Sequence, residues 1–165
     1  LVELMAEHDG ISYLRTTRGK TPVIYTADDT FKIGGSVVLR ESDADAVTVV
    51  GAGITVHEAL AACGDLADDG VSIRVIDLYS VKPLDIETLR RAADQTGAII
   101  TVEDHYPQGG IGEAVCTALS GHTTPVVMLA VRKKPKSGQP QELLDYEGIS
   151  KAAIVSQVRQ FLEAK

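Results

Sequence analysis

VEDHYPQGGIGEAV, residues 102–115, joins a short apolar run to an amphipathic one through a glycine-rich turn, and its reading decides the fold class. Upstream, AIITV (residues 98–102) is apolar and rich in β-branched residues, which suits a strand covered on both faces. Downstream, IGEAVCTALSG has helical spacing, with Ile111, Val115, Ala118 and Leu119 on one face and Gly121 at its end. Functional loops of open α/β folds sit at such junctions.

The same rhythm extends in both directions. VTVVGAG (47–53) reads as a buried strand, and TVHEALAACGDLADDG (55–70) as a helix with Thr55 and Glu58 at capping-box spacing. SIRVIDL (72–78) is the next strand, and KPLDIETLRRAADQTG (82–97) the next helix, with Asp85 as N-cap. PVVMLAV (125–131) adds a strand, and ISKAAIVSQVRQFLEA (149–164) a closing helix with Ile154, Val158, Phe161 and Leu162 on one face. Strands alternating with helices of this length predict parallel pairing through right-handed crossovers.

The front of the chain is different. LVELMAEHDG (1–10) reads as the end of a helix, ISYLR (11–15) alternates like a strand, and VIY (23–25) is a second short apolar piece after the polar turn TTRGKTP. From Thr26 to Ala46 the polar and mixed residues predict a crossover linker. Residues 1–40 are therefore expected to be the tail of one domain with its linker, and 41–165 a second domain. With Leu at position 1, a fragment or subunit of a longer protein is expected.

Net charge is −7 over 165 residues, which repels a phosphate backbone and argues against nucleic-acid binding. No apolar run approaches the roughly 18 residues of a membrane helix. No signal peptide is visible, so a cytoplasmic setting is expected. Cys63 and Cys116 fall in predicted helices and read as buried free thiols. His8, His57, His105 and His122 lack metal-ligand spacing.

Three groups could carry chemistry. Alternation along a strand end puts Glu103 and His105 on one face, where they could share a proton or hold a substrate hydroxyl; with Asp104 they read otherwise as a solvated strand end. Gly109, Gly110 and Gly112 leave amides near a helix start where a phosphate could sit, but the pattern matches neither a P-loop nor a dinucleotide fingerprint, so a purely structural turn is the expectation. Arg15, Arg18 and Lys20 cluster at the end of ISYLR, where a guanidinium beside Gly19 suits a phosphate; by residue chemistry alone they read otherwise as plain surface charge. The basic run Arg132 to Lys136 reads as a solvated loop or a patch for an anionic partner.

Taken together, ISYLRTTRG, VTVVGAGITVHEALAA, IRVIDLYSVKPLD, TVEDHYPQGGIGEAV and LAVRKKPKSGQPQELLDYEGI resemble the C-terminal part of transketolases. The first four have looser relatives in deoxyxylulose-phosphate synthases and in dehydrogenase beta subunits, so those enzymes stand as alternatives, as does a non-catalytic docking module. The resemblance implies a three-layer α/β domain with a mostly parallel sheet, preceded by a partial pyrimidine-binding domain. It further implies a homodimeric transferase of the pentose phosphate pathway that moves a two-carbon ketol unit between sugar phosphates with thiamine diphosphate and Mg2+ or Ca2+.

In that family the cofactor lies between domains upstream of Leu1, so no catalytic, metal or cofactor residue is expected here. The chain alone would be inactive, its partners being the missing N-terminal and middle domains. One contact carries over: the family's Ser-Arg pair, whose arginine holds the sugar phosphate, matches Thr17-Arg18, with Thr in place of Ser. Arg18 is the one site residue the resemblance supplies; Arg15 aligns with an arginine of close relatives without a role to transfer.

Overall fold

The computed structural model describes residues 1–17 and 19–164. In chain order these form α1 (Val2–Ala6), β1 (Val37–Arg40), β2 (Asp45–Gly51), α2 (Ile54–Asp68), β3 (Ser72–Asp77), α3 (Ile86–Gln95), β4 (Ile99–Val102), α4 (Ile111–Ala118), β5 (Val126–Leu129), α5 (Pro140–Glu147) and α6 (Lys151–Glu163).

The strands form a five-stranded sheet in the order β1-β3-β2-β4-β5. β2, β3, β4 and β5 are parallel, while β1 joins β3 antiparallel with a register break between Val38 and Arg40. Successive side chains on a strand leave by opposite faces, so β2 and β4 feed two cores at once. Val47, Val49, Ile100 and Val102 pack with Ala59, Ala62 and Leu66 of α2 and Ile154, Val155 and Val158 of α6. Val50, Ile76 and Ile99 pack on the other face with Leu89 and Ala92 of α3 and Ile111, Val115 and Ala118 of α4. Helices on both faces of a mostly parallel sheet give the expected three layers. Leu66, Leu89 and Ile154 are fully buried; truncating any of them to alanine typically costs about 2–5 kcal/mol.

Several local expectations are corrected. Residues 11–15 and 23–25 form no strand: Ile11, Tyr13 and Val23 are exposed, and no ladder runs beside them. The stretch read as a linker contains β1, whose antiparallel pairing escapes the βα rhythm. The box expected at Thr55 and Glu58 is absent because α2 begins at Ile54, behind Gly53. Thr55 instead donates its hydroxyl to the Val102 carbonyl at 2.8 Å, tying α2 to β4, and Glu58 accepts the amide of Lys151 at 2.7 Å. Asp85 does cap α3, accepting the amide of Thr88 at 3.2 Å.

Candidate functional site

The parallel strands end at Asp77, Gly51, Val102 and Leu129. Because β3 and β4 flank β2 on opposite sides, the connections diverge between β2 and β4, the crevice where open α/β sheets bind ligands. Three sets of residues meet at this edge.

The first is the buried carboxylate of Glu103, 2% exposed, directly after β4. It accepts the amides of Ile111 at 2.6 Å and Gly112 at 3.0 Å, the start of α4. Burial raises its pKa, with the two amides pulling the other way. Glycine is required here by space: a Cβ on Gly110 would lie 2.0 Å from Glu103 Oε2, and one on Gly112 would lie 2.4 Å from Met128 Sδ. The amides of a possible phosphate cradle are thus turned onto a side chain of the protein itself, and that of Gly109 onto Glu113 at 2.8 Å. This agrees with a structural turn and corrects the solvated reading of Glu103.

The shared proton of Glu103 and His105 is corrected as well. His105 is exposed, its Nδ1 2.7 Å from the Tyr106 carbonyl oxygen, while Glu103 points inward. Val102 ends the strand, so alternation does not continue through the trio.

The second set is an arm, residues 11–17 and 19–32, laid across the strand ends. Arg15 forks onto the carboxylate of Asp104, with Nη1 donating to Oδ1 at 3.1 Å and Nη2 to Oδ2 at 2.9 Å, and Nη2 also reaches the Asp104 carbonyl at 3.2 Å. Thr17 Cγ2 lies 3.7 Å from where Gly53, just beyond β2, would carry a Cβ. Tyr25 donates its hydroxyl to Asp77 Oδ2 at 2.5 Å, at the end of β3. Phe31 then stacks edge-on between Tyr25 and Tyr79, at 4.9 and 5.1 Å between ring centroids. Of the expected basic cluster, Arg15 is engaged, Lys20 is exposed, and Arg18 lies outside the described residues.

The third set surrounds Asp77. Burial raises its pKa, countered by the Tyr25 hydroxyl and by the positive charge that His57 can carry; its Oδ1 is buried without a hydrogen-bond partner among the described residues. Burial, followed by the Asp77 contact, pushes the Tyr25 phenol well above its ordinary value. Sequence reading missed this pair because 52 residues separate its members.

Elsewhere, Cys63 is half-buried and Cys116 exposed, so the expectation of two buried thiols holds for neither in full. In the basic run, Lys133 and Lys136 lie over the Tyr146 ring at 4.7 and 4.3 Å, which turns part of its charge onto α5. Among the described residues no group of three His, Cys, Asp or Glu side chains could hold a metal ion.

The fold and this edge define an open, mostly parallel α/β domain with an N-terminal arm over its switch crevice. The transketolase C-terminal domain family model matches residues 34–154. Transketolase-like protein 2 of Mus musculus is 54% identical over 160 residues, covering 96% of this chain and 26% of the relative. Transketolase of Mus musculus is 48% identical with the same coverage of each. A solved structure described as a split gene transketolase, inactive beta4 tetramer, superposes with a TM-score of 0.91 at 37% identity, covering 98% of this chain and 53% of that one. The chain belongs to the transketolase family, and spans about a quarter of the length of these curated relatives.

Proposed function

We propose that the chain is the C-terminal portion of a thiamine-diphosphate-dependent transketolase that moves ketol units between sugar phosphates, inactive alone and active with the upstream part. The observation that carries this reading is the lopsided coverage: relatives near half identity match almost all of this chain with a quarter of their own length. The split gene transketolase supports it, being a chain matched over 98% of this one and described as inactive.

The described residues do not fit the cofactor's diphosphate and metal. The helix start that could cradle a diphosphate is closed by Glu103, and no acidic or histidine cluster stands ready for a cation. The chain's own contribution is then substrate binding by the arm, with Arg18 holding the sugar phosphate. A charged fork suits that task because guanidinium and phosphate pair through two parallel hydrogen bonds. A homodimer in the cytoplasm is the setting this reading implies.

The test is ketol transfer from xylulose-phosphate to ribose-phosphate with thiamine diphosphate and magnesium, for the chain alone and mixed with the upstream part. Activity only in the mixture supports the proposal. Activity of the chain alone overturns the division of labour, and silence in both turns the reading toward a docking module.

A further inference from the structure

The arm touches the ends of three strands in turn. Arg15 is fixed to Asp104 beyond β4, Tyr25 to Asp77 at the end of β3, and Thr17 rests against the turn after β2 between them. In the sheet order β3-β2-β4 the arm therefore crosses the switch crevice from one lip to the other. The guanidinium of Arg15 already has a carboxylate and a carbonyl on it.

We propose that Asp104 is a positioning residue for the sugar phosphate. Acting through Arg15, it sets the register of the arm up to Thr17, which rests near Gly53 just beyond β2 and directly precedes Arg18 in the sequence. This rests on the reading of Arg18 as the phosphate grip. The geometry favours the role because the pair is two-pronged: two parallel hydrogen bonds fix orientation as well as distance. Its strength is modest, since Arg15 is 52% and Asp104 33% exposed and water screens the pair.

The experiment uses the enzyme reassembled with its upstream part, with ribose-phosphate and unphosphorylated ribose as alternative acceptors. Asp104→Asn and Arg15→Ala are each expected to raise KM for ribose-phosphate about three- to fivefold, the scale of an exposed ion pair. The kcat and the constants for ribose should move less than about twofold, within the spread of ordinary surface substitutions. The double variant should be no worse than either single one, since both remove the same contact. Asp104→Glu, which keeps the charge, should recover most of the loss.

Equal losses for both acceptors, or additive losses in the double variant, overturn the positioning role. Arg18→Ala in the same assay separates the two ideas, with a selective rise in KM above about tenfold expected for a charged phosphate contact. If Arg18→Ala is selective and Asp104→Asn is not, the positioning role alone fails. If Arg18→Ala is unselective, the phosphate reading itself fails.

Discussion

The Oε2 of Glu103 takes the amide of Ile111 at 2.6 Å, so the residue that leaves β4 closes the first turn of α4 from beneath. Its other oxygen holds Gly112, and the carboxylate is buried between strand and helix. Glu103→Ala is expected to destabilise the domain by about 1–3 kcal/mol for each amide left without an acceptor. Denaturant unfolding measures it. A loss under about 0.5 kcal/mol, the range of ordinary surface changes, would refute the structural role.

The same group carries a pH signature. Burial raises the pKa of Glu103, so the folded protein holds that proton more tightly than the unfolded chain does. Its stabilising contribution is full below the unfolded value of about 4.3 and is lost as pH rises through the higher folded value. Melting temperatures of the native chain minus those of Glu103→Gln should therefore shrink as pH climbs from about 4. A difference that grows with pH would reverse the sign.

Neighbouring glycines should fail for different reasons. Gly109 has φ +71° with open space around it, so Gly109→Ala costs only the left-handed conformation, about 1–2 kcal/mol. Gly110 has φ −92°, but its Cβ would meet the Glu103 carboxylate and the Tyr106 carbonyl at 2.8 Å. Gly110→Ala should thus cost about 1–3 kcal/mol through overpacking. In the Glu103→Ala background that cost should fall while the Gly109 cost stays, a comparison double-variant unfolding makes directly.

Tyr25→Phe removes the hydroxyl from Asp77 and leaves Asp77 without that donor in a buried setting. A loss of about 1–3 kcal/mol is expected. Because the contact ties arm to sheet, amide exchange in residues 15–25 should quicken more than in β2 or β4. Uniform quickening across the sheet would show that the contact does not act on the arm.

Most of the sheet and its helices could be read from the sequence because period and composition act locally: AIITV and VTVVGAG are mostly apolar on both alternations, with Thr101 and Thr48 as the polar exceptions, as suits strands within covered sheets. What escaped reading depends on distance along the chain. VVLR becomes β1 only because β3 offers it an edge 30 or more residues later, and ISYLR, with better alternation, has no such edge among the described residues. Glu103 was legible as an acid at a strand end, but its burial follows from Gly110 and Gly112 bringing α4 close enough to cover it. Arg15 stood out by charge, whereas its partner Asp104 was grouped with the wrong neighbours.

The distance between Arg15 and Asp104, 89 residues, also has a meaning in time. At about 5–20 residues per second, a ribosome delivers Asp104 roughly 4–18 s after Arg15. Asp77, which holds Tyr25, is made before Asp104, so in the later part of that interval the arm can rest on the β3 side alone. The contact of Arg15, the earlier of the two anchoring residues in the chain, is thus the later of the two to become possible.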